Sequence, residues 1–326
     1  MMMNHTLKNL CNLPLGTVVT GKWHRHSYKL VKPLGNGANG VVYLAESTKG
    51  LVALKLSDNS AAIASEVNVL RRFSKVQGVA LGPSLLDVDD WVNPLMNKTI
   101  PFYVMEYIKG ENFFTFIRKR GKEWVVVLLL QLLSALDQLH QEGWVFGDLK
   151  PENLLVAGPP PTVRLLDVGG TTLQGRAVKE FTEFYDRGYW GVGSRKAEPS
   201  YDLFAVAMIM IQACYPIKFE RKGDGRRQLI SIIQADDTLR TYQTVLMKAI
   251  DGKYKRASEM KQDFLTALQR SYHSHSNQRT FQRTMQKTRR NKKRKSSKTK
   301  GVLETALIVA VLLCAYAIYV YHQVLP

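Results

Sequence analysis

One run decides the fold: Gly147-Asp148-Leu149-Lys150-Pro151-Glu152-Asn153. The apolar triplet Leu154-Leu155-Val156 follows it. Eleven residues beyond Val156 comes Asp167, in Leu165-Leu166-Asp167-Val168-Gly169. Three oxygen-bearing side chains, Asp148, Asn153 and Asp167, thus stand at set offsets among short strand-like segments. Mg2+ is a hard cation that takes a few oxygen ligands plus water and phosphate oxygens. Asn153 and Asp167 suit it. Asp148 is then free to orient a hydroxyl and accept its proton. Asp and Asn are ordinary turn residues taken singly, so the joint spacing carries the reading.

Upstream lies a second phosphate-directed element, Leu34-Gly35-Asn36-Gly37-Ala38-Asn39-Gly40-Val41-Val42-Tyr43. Three glycines at this spacing also occur in dinucleotide folds, where a helix follows them. Here the strand-like Val41-Val42-Tyr43-Leu44-Ala45 follows and Leu30-Val31 precedes. The expected object is a hairpin with a glycine tip, whose backbone N–H groups can close over phosphates. The next strand, Leu51-Val52-Ala53-Leu54-Lys55-Leu56, carries one charge in apolar surroundings. Lys55 therefore needs a partner. Glu66, eleven residues on in the expected helix Ala61–Phe73, is the candidate. Their ion pair would aim Lys55 at the α- and β-phosphates.

Together these motifs resemble the eukaryotic-like (Hanks-type) protein kinases over residues 26 to about 270. The resemblance rests on the glycine loop with Val42, Ala53-Leu54-Lys55, Glu66, the hinge-like Val104-Met105-Glu106-Tyr107, the Asp148–Asn153 run and Asp167-Val168-Gly169. Tyr201-Asp202-Leu203-Phe204 resembles the start of a buried helix, and Arg256 a late arginine. The resemblance implies an α+β, two-lobed fold, with a β-rich N-lobe over 26–107 and a helical C-lobe over 108–272. It implies ATP and Mg2+ between the lobes. Leu34, Gly35, Asn36, Gly37, Ala38, Asn39, Gly40, Val42, Lys55, Glu106 and Tyr107 would hold the nucleotide. Asn153 and Asp167 would hold the metal, and Asp148, Lys150, Lys55 and Glu66 would serve catalysis. Asp-Leu-Lys-Pro-Glu-Asn is the form that phosphorylates Ser and Thr, with Lys150 steadying the transferred group. Within the family the chain is most similar to the YabT-type membrane-anchored kinases of spore-forming bacteria. That likeness implies a role in sporulation and an association with DNA.

Three departures stand out. Phe146-Gly147 replaces His-Arg, removing the arginine that grips a phosphorylated loop. Thr171, Thr172 and Thr182 are accordingly expected to be dispensable together. Val168 replaces a phenylalanine. No Ala-Pro-Glu is visible; Tyr185-Asp186-Arg187-Gly188 holds its place and leaves Arg256 without a named partner. These departures motivate a rival, a pseudokinase scaffold that binds polyanions. The retained Lys55, Asp148, Asn153 and Asp167 weigh against it.

Composition bounds the rest. The 326 residues are 45% hydrophobic, enough for a sizeable core, and carry a formal net charge of +19. Eleven Lys or Arg and no acid fall within 279–300, leaving +8 elsewhere. Cys11, Cys214 and Cys314 show no metal or disulfide spacing. Thr305–Tyr321 is seventeen residues without charge, within the range that spans a bilayer. Trp124–Leu133 and Leu203–Ile211 read as buried core helices, too short to span. The expected organisation is a loose lead-in (1–25), the domain at 26–272, a basic segment (273–301), a single transmembrane helix (302–322) and a short external tail (323–326). Basic residues before the span put the main domain on the cytoplasmic side of the cell membrane. Partners expected of the basic segment are DNA or anionic lipid. Protein substrates and self-association for phosphorylation in trans complete the expected partners.

Overall fold

Alternating β-branched and aromatic residues in the first hundred positions form one antiparallel sheet. Its strands are β1 (Val18–Thr20), β2 (Ser27–Gly37), β3 (Gly40–Ser47), β4 (Gly50–Leu56), β5 (Leu85–Asn93) and β6 (Lys98–Glu106). Their order is β1-β2-β3-β4-β6-β5. The computed structural model describes residues 5–37, 39–73, 82–94, 96–215, 219–271 and 307. Central strands β3 and β4 are buried along most of their length and read as near-continuous apolar runs. Helix α2 (Ser60–Phe73) packs against β5 and β6 through Ile63, Val67 and Leu70.

The amino-terminal residues differ from the loose lead-in expected of them. Helix α1 (His5–Cys11) packs on β3, and β1 pairs with β2. Leu10, Leu13 and Val19 join Tyr28, Leu54 and Phe102 in one buried cluster. The Tyr43 hydroxyl donates to the Leu10 carbonyl at 2.8 Å. A segment this short carries too little periodicity to declare itself, yet burying its three apolar residues fixes it.

The second lobe is helical: α3 (Phe113–Arg120), α4 (Trp124–Gln141), α5 (Pro199–Cys214), α6 (Gly225–Ala235), α7 (Asp237–Thr241) and α8 (Gln243–Ile250). A further helix begins at residue 257 and buries Met260 and Phe264. Every residue of α5 after Pro199 is buried, so the helix is apolar all round because protein surrounds it. Helix α4 extends to eighteen residues and meets the length and composition of a membrane span. Leu128, Leu129, Leu132 and Leu136 are nevertheless buried in the lobe. Gln131 does not break it, because its amide donates to the Pro161 carbonyl and accepts from the Val163 N–H. Short strands β7 (Gly110–Asn112), β8 (Trp144–Val145), β9 (Leu154–Ala157), β10 (Thr162–Leu165) and β11 (Thr172–Leu173) form two small sheets that carry the polar run. Both lobes lie in one compact unit, residues 1–266. The basic segment and the apolar stretch 302–322, residue 307 apart, lie outside the described residues.

Candidate active site

The hairpin β2–β3 turns at Gly37 and Gly40, which face each other across the ladder. Gly40 has φ +145°, and a Cβ there would stand 2.5 Å from the Leu56 carbonyl. A side chain would push this tip off β4, so glycine is required. Beneath the hairpin lies a cleft of about 430 Å³. Leu34, Gly35, Asn36, Gly37, Asn39, Gly40 and Val42 line its roof; Ala38 lies outside the described residues. Glu106, Tyr107 and Ile108 line its edge, and Asn153 and Asp167 line its floor. The Glu106 carboxylate turns to Arg164 at 2.9 Å and to the Ser84 N–H at 3.1 Å. Burial opposes its charge, but these bonds and the guanidinium hold it below its ordinary value. Glu106 therefore offers a nucleotide only its backbone.

Lys55 and Glu66 are both buried, and Nζ stands 2.6 Å from Oε2. A buried pair holds when further hydrogen bonds satisfy it. Tyr103, which the sequence did not single out, supplies one: its hydroxyl donates to Glu66 Oε2 at 2.7 Å. Burial and the Glu66 charge push the phenol well above its ordinary value, keeping it a donor. Lys55 Nζ lies 3.9 Å from Asp167 Oδ1, so one cation spans a carboxylate on α2 and another on the floor.

Asp148 and Lys150 sit outside the cleft lining, bonded to each other. The Thr182 hydroxyl donates to Asp148 Oδ1 at 3.0 Å, and Lys150 Nζ lies 3.3 Å from that hydroxyl. Thr182 thus touches both Asp148 and Lys150. Thr171 and Thr172 are buried, and Thr172 bonds the Gly170 carbonyl. These contacts bear on the expectation that the three threonines are dispensable together, which the activity of the triple alanine variant tests. Asn153 Nδ2 donates to the Asp148 carbonyl at 2.9 Å, which fixes the amide and leaves Oδ1 as its free acceptor. The Asp167 carboxylate is half-exposed and accepts from the Gly169 N–H. Two oxygen donors beside a lysine-lined cleft fit a hard divalent cation brought with phosphates.

The missing His-Arg has a structural reason. Gly147 has φ +85°, and a Cβ would lie 2.7 Å from the Gly170 carbonyl. The loop is instead hung from buried Asp202, which accepts from the Phe146 and Gly147 N–H groups at 2.8 and 2.9 Å. His140 Nε2 lies 2.9 Å from the same carboxylate.

Glu180 is a second residue that the sequence did not single out. It lines the cleft and accepts a bond from Asn39 of the glycine tip. Burial, then the charges of Asp167 and Asp148, raise its pKa. Like charge on the path of the phosphates should weaken anion binding. Glu180→Gln keeps an acceptor for Asn39 and is expected to raise affinity for ADP, without divalent cation, by about fivefold. Isothermal titration in mildly alkaline buffer measures it.

The protein kinase domain family model matches residues 28–290. The serine/threonine-protein kinase YabT of Bacillus subtilis is 55% identical over 271 residues, covering 83% of this chain and 80% of that protein. The sporulation protein kinase mde3 of Schizosaccharomyces pombe is 33% identical over 141 residues, covering 40% of this chain and 25% of that protein. Among solved structures, vaccinia related kinase 3 superposes with a TM-score of 0.59 at 18% identity, over 82% of this chain and 95% of that one. This last likeness concerns the fold alone.

Proposed function

The chain belongs to the protein kinase family and is a serine/threonine protein kinase, and we propose that it works at a membrane, with a basic segment that answers to DNA. Membership implies ATP, a divalent cation and protein substrates. The cation is Mg2+ in this reading, held by Asn153 and Asp167, and it would neutralise the phosphates it arrives with. Lys55, aimed by Glu66, positions the α- and β-phosphates. Asp148 orients the acceptor hydroxyl and takes its proton, while Lys150 beside it steadies the transferred group. The observation that carries this is the convergence of Glu66 and Asp167 on Lys55, at 2.6 and 3.9 Å in the cleft, with Asp148 held by Thr182 and Lys150. The departures at 146–147 and 168 cost none of these groups. Phe146 and Val168 are both buried. The scaffold alternative is not favoured.

Anchoring and DNA response rest on sequence. Thr305–Tyr321 is long and apolar enough to span, and the charge before it keeps the kinase cytoplasmic. Eleven basic residues in 279–300 exceed what orientation needs. A polyanion binding there without base reading would gather copies and favour phosphorylation in trans. A sporulation role rests on the sequence resemblance to the YabT-type kinases of spore-forming bacteria. The test uses the full chain in detergent, wild type against a variant with Lys and Arg at 287–300 changed to Gln. DNA is expected to raise phosphate incorporation by wild type at low salt. It should lose that effect as salt rises, and do little to the variant. Equal stimulation of both would take the DNA response away from this segment.

A further inference from the structure

Away from the cleft, the turn before β2 and strand β5 bring two histidines and two carboxylates together. His24 Nδ1 lies 2.6 Å from Asp87 Oδ1, and His26 Nδ1 lies 2.9 Å from Asp87 Oδ2. Asp89 Oδ2 is 3.8 Å from His24 Nδ1. Both carboxylates are buried, while both imidazoles are open to solvent on one side. His-Arg-His sets the two rings on one side of the chain, and Arg25 between them adopts φ +60°.

The donors are held independently of one another. The Tyr28 hydroxyl donates to Asp87 Oδ2 at 2.6 Å. The Trp23 and His24 N–H groups donate to Asp89 at 3.0 and 2.7 Å. The turn itself is tied by the Gly21 N–H to the His26 carbonyl and the Lys22 N–H to the Asp90 carbonyl. This is the pattern of outer partners that fixes metal ligands. Two buried carboxylates thus face two imidazoles that are open to solvent on their outer side.

We propose that His24, His26 and Asp87, with Asp89 within reach, form a binding site for a divalent transition-metal cation of the zinc class. The three donor atoms lie within 4.8 Å of one another. Tetrahedral ligands at zinc distances stand about 3.3 Å apart, so each ring nitrogen, now at hydrogen-bond distance from Asp87, has to move outward by only a fraction of an ångström to admit the ion. The cation enters by displacing protons now shared between rings and carboxylate. Imidazole donors select zinc, cobalt or nickel over magnesium, which separates this site from the oxygen-lined one in the cleft. A bound ion would staple the turn at 21–26 to β5 and stabilise the N-lobe by mass action.

The test is Co2+ titration of the chelator-washed full chain, read by visible absorption, with Zn2+ thermal shift alongside. Wild type is expected to show the strong d–d bands of a tetrahedral site, saturating at one ion and displaced by Zn2+, and to gain several degrees in Tm on adding Zn2+. His24→Gln with His26→Gln should lose the bands, the Tm gain and at least tenfold in Co2+ affinity. Absence of the bands in wild type overturns the proposal, and needs no folded variant. Bands or Tm gains equal in wild type and variant also overturn it, assigning the metal to other histidines.

Discussion

Asp148→Asn is expected to lower phosphoryl transfer by about a thousandfold, within the range that a positioned proton acceptor supplies. Binding of ADP should stay within about twofold, because the side chain lies outside the cleft lining. The Asp148 oxygens have separate tasks. Oδ1 takes the Thr182 hydroxyl at 3.0 Å, and Oδ2 meets Lys150. An asparagine keeps the shape and one acceptor, but turns an NH2 toward either the lysine or the hydroxyl. It cannot hold the proton that a Ser or Thr nucleophile must lose. Radiolabelled phosphate incorporation measures the first effect and isothermal titration the second. Undiminished incorporation by the purified variant would remove Asp148 from the proton-accepting role. Lost ADP binding would instead mean that Asp148 belongs to the nucleotide floor.

Why this site was legible, and where legibility stopped, follows from sequence separation. The glycine hairpin, the strand bearing Lys55 and the Asp148–Asn153 run are each local, fixed by turn chemistry and strand period within a few residues. Lys55 announced a need for a partner because a lone charge in an apolar strand is costly, and Glu66 was the acid within helical reach. Tyr103 gave no such signal. It lies 37 residues from Glu66, in a strand where a buried tyrosine is unremarkable. Glu180 meets Asn39 across 141 residues. Thr182 reaches Asp148 across 34. No local period encodes these meetings; Tyr103 meets Glu66 when α2 packs on β6, and Glu180 and Thr182 meet their partners when the segment after β11 folds back. The amino-terminal helix was hidden for a related reason. Its apolar residues make sense only against β3, which follows much later in the chain.

The largest structural effect is expected at Asp186, in the stretch that replaces Ala-Pro-Glu. Asp186 is fully buried. It accepts from the Gly188 and Tyr189 N–H groups, each at 3.0 Å, from Arg195 at 2.8 Å and from the Tyr201 hydroxyl at 3.0 Å. Burial and this carboxylate raise the Tyr201 pKa, so the phenol stays a donor. Beside it, buried Arg187 donates to Glu198 at 2.6 Å, to the Ser194 carbonyl at 2.8 Å and to Ser200. Two charges thus tie residues 186–201 to themselves and to α5, without any phosphate. Arg256, whose partner the sequence left unnamed, is exposed and sits 3.8 Å from Asp137. Asp186→Ala leaves two N–H groups, a phenol and a guanidinium without their acceptor. Removing one member of a buried charged network costs about 3–5 kcal/mol. For a domain of this size that is a fall in Tm of about 10 °C. Arg256→Ala breaks only an exposed pair and should cost less than about 1 kcal/mol. Because Thr182 opens the same loop and touches Asp148, Asp186→Ala should also lower kcat below the melting range, while nucleotide affinity holds. Thermal unfolding and initial rates at one low temperature separate the two effects. A Tm within a degree or two of wild type would show that the loop is held by its apolar contacts, Trp190 and Phe184 among them. An equal loss in Arg256→Ala would give that exposed arginine a share in bracing the lobe.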